Sequence, residues 1–145
     1  HDNRLTDRLI TYWNQIKKDD GIPNFLHFNA SSISDIWQRC LLFSIQPSGV
    51  GSTPSLKFQT IGDQLLPIYG PNMLGQTFGP GHNQFPVAVL IRKIHLVFAN
   101  PAPLVDMGQF VSERGKIIKY RSCLLPFGTQ GVVTHIVVGL SWREF

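Results

Sequence analysis

The chain has 145 residues, 43% of them hydrophobic and 15% charged, which suits one domain with one buried core and excludes a disordered chain. Its longest apolar runs, such as Val132 to Leu140, are strand-sized and interrupted by Thr134 and His135, far short of the ~20 apolar residues of a membrane span. The net charge of +4 is spread along the chain, whereas nucleic-acid binders concentrate theirs on one helix or stripe, so nucleic acid ranks last among partners.

Leu5, Leu9, Tyr12, Trp13 and Ile16 recur at helical spacing, after the cap candidates Asp2 and Asn3 and before Lys17, Lys18 and the breaker Gly21-Ile-Pro23. An amphipathic N-terminal helix follows. The segment 24–39 holds a second start signal at Ser31-Ser32 or Ser34-Asp35, ahead of Ile36 and Trp37, and reads as a short helix or turn. From Leu41 the period changes to two, with Leu41, Phe43 and Ile45 on one side and Leu42, Ser44 and Gln46 on the other. Pro47 to Pro54 is a Gly/Pro/Ser loop, after which Leu56, Phe58 and Thr60 alternate against Lys57 and Gln59, so these two strands form a hairpin. Gly62 to Tyr69 reads as one or two helical turns closed by Gly70-Pro71. Gly75 and Gly79-Pro80-Gly81 mark an irregular patch.

Pro86 to Phe98 is long enough for a helix and apolar over much of its surface. Three strands complete the chain, Leu104 to Val111, Ile117 to Phe127 and Val132 to Trp142, separated by the turns Ser112-Glu-Arg-Gly115 and Gly128-Thr-Gln-Gly131. Alternation places Ile118, Tyr120, Ser122 and Leu124 on one face, opposite Lys119, Arg121 and Cys123. In the last strand Val132, Thr134, Ile136, Val138, Leu140 and Trp142 share a face. The inner face is therefore apolar with a few hydroxyls.

The element order is helix, strand, strand, short helices, longer helix and three hairpin-linked strands, which is that of a PAS domain. Leu9-Ile-Thr-Tyr12-Trp13, Phe58-Gln-Thr-Ile61-Gly62 and Ile68-Tyr69-Gly70-Pro-Asn-Met73-Leu-Gly75 resemble a bacterial family of mostly single-domain PAS proteins, marked by a Tyr-Trp helix and a Tyr-Gly-x-x-Leu-x-Gly loop. Cys123-Leu-Leu-Pro126-Phe and Val137-Val-Gly-Leu140 look like its last two strands. An Arg usual before the loop is missing here. The resemblance implies an α+β fold: a five-stranded antiparallel sheet, Leu41 to Gln46 central, with short helices on one face and the amphipathic N-terminal helix. Residues 1–145 form a single domain, with the N-terminal helix in 1–22 and the core in 40–145. It also implies a cytoplasmic sensory or regulatory module of signal transduction that binds a small ligand or a signalling-protein partner. A carrier with an apolar cavity is the alternative.

The residues themselves supply no catalytic constellation: the acids are scattered, no nucleophile has a paired base, and the glycine patch lacks the Lys-Ser/Thr ending of a P-loop. The chain reads as no enzyme, with no metal site and no identified cofactor. His82 and His95 flank the longer helix without a second ligand pattern. Cys40 and Cys123 lie in separate apolar segments, with neither CxxC spacing nor a disulfide framework, which fits a reducing compartment. Arg114, Lys116, Lys119 and Arg121 form a basic run that reads as a solvated strand edge. Thr60, Tyr120, Ser122 and Thr134 are hydroxyls predicted on the inner face. A small apolar ligand is expected beside Phe58, Tyr69, Tyr120, Ser122 and Thr134. The stripe Leu5, Leu9, Tyr12, Trp13 and Ile16 needs cover, either from the outer face of its own sheet or from a second copy. The width of its two adjacent aromatics predicts a homodimer built on this helix.

Overall fold

The computed structural model describes residues 4–17, 21–46, 54–84, 86–111 and 114–145. The caps Asp2 and Asn3, Lys18, the loop residues 47–53 and the turn residues Ser112 and Glu113 lie outside them. Helical spacing forms α1 (Arg4–Ile16), and the apolar stretch after Pro86 forms α3 (Val87–Ala99), with the four-residue α2 (Leu66–Tyr69) between them. The strands are β1 (Cys40–Gln46), β2 (Ser55–Ile61), β3 (Thr77–Phe78), β4 (Leu104–Val111), β5 (Ile117–Thr129) and β6 (Val132–Glu144).

The segment 24–39 folds as three 3₁₀ turns, Phe25–His27, Ala30–Ile33 and Trp37–Arg39. The first two begin on asparagines, not on the expected serines: Asn24 accepts from the Leu26 N–H at 2.9 Å and Asn29 from the Ser31 N–H at 3.1 Å. An Asx side chain reaches the N–H two residues on, and that local bond outcompetes the serine starts.

The sheet is antiparallel and open, in the order β3-β2-β1-β6-β5-β4, with β1 inside it as expected. Six strands replace the expected five. The sixth is β3, two residues paired with Leu56 and Lys57 inside the patch that reads as irregular loop, and too short to carry a period. Gln130 and Gly131 both have positive φ, 52° and 78°, which a two-residue type I′ hairpin between β5 and β6 demands.

Just beyond that turn the alternation changes phase. Phe127 faces His135 while Gly128 faces Val133, so Thr134 has no partner across the ladder and forms a bulge. Val132 is consequently exposed and Val133 buried, the reverse of strict alternation from Ile136. Helices lie on both faces of the sheet, with α1 on the face opposite α2 and α3. Over one face α3, α2 and the turn Asp63–Leu65 enclose a core of Leu41, Phe43, Phe58, Leu124, Ile136 and Val138. Over the other, α1 and the 24–39 segment bury Cys40, Cys123, Leu125, Phe127 and Val137.

Candidate functional site

Four of the five expected ligand residues line the α3 side of the sheet. Phe58 is 1% exposed, with its ring 4.5 Å from Phe43 and 6.0 Å from Tyr69. Tyr69 ends α2, where Gly70 turns the chain at φ 81°. Burial pushes its hydroxyl well above the usual tyrosine range, and the nearby Tyr120 adds to the shift. Ser122, 3% exposed, stands level with Asp106 on β4 and Leu140 on β6. Tyr120, two residues away on the same face, lies over Gly108, where a Cβ would sit 2.6 Å from its hydroxyl oxygen. Thr134 stands apart because the bulge takes it out of the alternation. Its hydroxyl lies 3.4 Å from the Phe127 carbonyl and 3.0 Å from His135 Nδ1, local contacts that occupy it.

Two charged residues join this face that sequence reasoning missed. Lys93 of α3 places Nζ 3.2 Å from Asp106 Oδ1, while Asp106 Oδ2 is buried with no hydrogen-bond partner among the described residues. Tyr120 has its pKa raised, first by burial and then by the Asp106 charge, against the pull of Arg92. The phenol therefore keeps its proton at neutral pH and can donate, and Asp106 is the carboxylate beside it that can accept. Asp106 could have been found as an acid on the inward phase of β4, between Leu104 and Gly108. Lys93 carried no such signal, because only the tertiary fold brings α3 onto β4.

Other candidates resolve into local partners. Arg114 Nη2 pairs with Glu144 at 2.8 Å, Lys119 Nζ lies 4.8 Å from the Phe145 ring centroid, and Arg121 Nη2 reaches Met107 Sδ at 3.2 Å. Lys116 is also partnered. His82 packs on Phe78, ring centroids 4.7 Å apart. Among the described residues no three His, Cys, Asp or Glu side chains are grouped to hold a metal ion.

The α1 stripe is covered by its own sheet. Leu5, Leu9, Tyr12 and Trp13 are buried within the single chain and Ile16 is partly buried, which is the first of the two covers expected for the stripe. The seat is a row of small residues, Cys40, Gly139 and Cys123, level with one another on β1, β6 and β5. A Cβ on Gly139 would meet Leu9 Cδ1 at 2.2 Å. The two thiols, separated by two strand spacings of about 4.8 Å each, are too far apart for a disulfide. Burial raises both to a pKa of about 12 and leaves them protonated. Trp13 Nε1 donates to the Pro126 carbonyl at 2.8 Å, at a point on β5 beyond the last residue paired with β4. There β5 is paired on the β6 side alone, where a proline is tolerated.

No family model matches the chain, and no curated protein is significantly similar to it. Among the described residues no helix is long and apolar enough to cross a membrane.

Proposed function

We propose that the chain is a PAS-type sensory or regulatory module of signal transduction, resembling the bacterial single-domain PAS proteins, that binds and does not catalyse. The observation that supports this is the order of elements: helix, two strands, short helices, the longer α3 and three hairpin-linked strands, with β1 inside the sheet. Tyr69, Tyr120, Ser122 and the Lys93–Asp106 pair would then face a small, mostly apolar ligand carrying one donor, for which Asp106 Oδ2 is the acceptor. A homodimer belongs to the same reading. Because α1 covers its own sheet, the second copy would meet the uncovered edge strand β4, where Met107 and Val111 are each 65% exposed.

Native mass spectrometry of the gently purified chain tests the ligand: an adduct lost on denaturation, and reduced in Asp106→Asn, is the expected result. Light scattering at micromolar concentration tests the dimer, which Met107→Lys should dissociate. A bare monomer in both measurements would overturn both parts of the reading.

A further inference from the structure

A cleft at the start of the central strand is held open by a close backbone approach. The turn Trp37–Arg39 leads into β1, and the 3₁₀ turn Asp63–Leu65 leaves β2. They lie side by side because Gly62 has no side chain: a Cβ there would sit 2.4 Å from the Gln38 carbonyl oxygen. The Gly62 N–H donates to the Cys40 carbonyl at 2.8 Å, and the Asp63 N–H donates to Gln38 Oε1 at 2.9 Å. Both turns are thereby fixed in place next to the end of β6. Arg39, Gln64, Leu140, Ser141 and Trp142 line an open cleft of about 370 Å³ between them. That is within the ~300–1,000 Å³ range of small-molecule sites.

The polar lining favours a negative ligand. A guanidinium and an indole N–H can only donate, an amide and a hydroxyl can each turn a donor inward, and no carboxylate lines the cleft. Among the described residues no hydrogen bond or ion pair engages the side chain of Arg39, Gln64 or Trp142. Asp35 feels the charge of Arg39, but its oxygens are held by Arg8 at 2.7 and 3.1 Å. Arg39 is partly buried and held by no described side chain, so its guanidinium is free to turn to a bound anion. Leu140, 4% exposed, supplies an apolar floor, and Trp142, 36% exposed, offers an open ring.

We infer that this cleft binds a small carboxylate carrying a flat apolar group, the carboxylate on Arg39 and the apolar part against Leu140 and Trp142. One cation matches one negative charge, and the planar fork of arginine matches a carboxylate with two parallel bonds. The cleft adjoins the group formed by Phe58, Tyr69 and Tyr120 through Leu140 and Trp142, but shares none of its residues. The assignment rests on its five lining residues and not on the sensory reading.

Benzoate is the probe, benzyl alcohol its neutral counterpart and inorganic phosphate the third titrant, each added to the full chain and followed by calorimetry and by NMR shifts. Benzoate should saturate and shift the Trp142 indole N–H, and benzyl alcohol should not. Arg39→Gln should weaken benzoate at least ~tenfold at an unchanged melting temperature, and Gln64→Ala, on an exposed side chain, by a smaller factor. If Arg39→Gln does not fold, Gln64→Ala and the neutral probe decide. The assignment is overturned if benzoate fails to saturate, if both organic probes bind alike, if Arg39→Gln binds benzoate as the wild type does, or if phosphate binds more tightly. None of these results bears on the adduct or dimer measurements, so the two readings fail separately.

Discussion

The two faces of the sheet are covered by helices of equal length held in different ways. On the outer face α1 is fixed by directional contacts: Leu9 in the space left by Gly139, Trp13 on the Pro126 carbonyl at 2.8 Å, and the Asn29 N–H donating to the Tyr12 hydroxyl at 2.7 Å. On the inner face α3 buries Val87, Leu90, Ile91, Ile94 and Val97, and its polar tie to the sheet among the described residues is Lys93–Asp106 at 3.2 Å. Apolar contact rewards burial without prescribing position, whereas a buried hydrogen bond is lost when its partners slide. The difference predicts that α1 is the more fixed cover and α3 the helix more tolerant of a changed core.

Paired truncations test the contrast between α1 and α3 most directly. Leu9 and Ile94 are 0% and 1% exposed, so burial alone predicts equal losses on substitution by alanine. With α1 fixed, Leu9→Ala should leave an unfilled cavity and cost about 4 kcal/mol, while α3 should settle and limit Ile94→Ala to about 2 kcal/mol. Urea unfolding measures both, and equal losses would remove the distinction. Cys40 and Cys123 report the same contrast, since both lie beneath α1: their reaction with a thiol reagent should accelerate in Leu9→Ala and stay slow in Ile94→Ala.

A smaller effect is expected from filling the seat. Gly139→Ala should cost about 1–3 kcal/mol, because Leu9 must leave its position to clear the new methyl group. Combined with Leu9→Ala it should cost less than the sum of the two, and additive losses would mean that the helix is not seated there. Trp13→Phe keeps an aromatic ring but removes the N–H bonded to the Pro126 carbonyl together with part of the buried indole, an expected loss of at least about 1–2 kcal/mol in thermal or urea unfolding. No loss would show that the bond does not hold α1.

The smallest effect is a pH dependence at the rim of the outer face. His135 stacks on Phe25 at 3.8 Å between ring centroids, and burial lowers its pKa below the ordinary 6.5. The unfolded chain therefore takes up this proton first as the pH falls. The His135 contribution is intact above the unfolded pKa, is lost as the pH drops through it, and levels off below the folded value. His135→Phe should flatten the stability profile between roughly pH 8 and pH 5, and an unchanged slope would rule out this residue as its source.

Much of the fold was legible in local pattern. The stripe Leu5, Leu9, Tyr12, Trp13 and Ile16 marks α1, the apolar run after Pro86 marks α3, and Gly128-Thr-Gln-Gly131 marks the last turn, which the structure narrows to Gln130-Gly131, because helical periodicity and left-handed backbone preferences act within a few residues. Alternation likewise placed Phe58, Tyr120 and Ser122 on the inner side of the sheet. Only the tertiary structure decided which surface covers the α1 stripe, since periodicity records that a face is buried and not what buries it. It alone introduced the bulge at Thr134, which reverses the phase of every β6 residue before it, and the two-residue β3, which is shorter than one alternation. The Lys93–Asp106 pair and the cleft joining Arg39, Gln64 and Trp142 exist because separate segments meet, and polar groups that find their partners through the fold leave no mark at any fixed spacing along the chain.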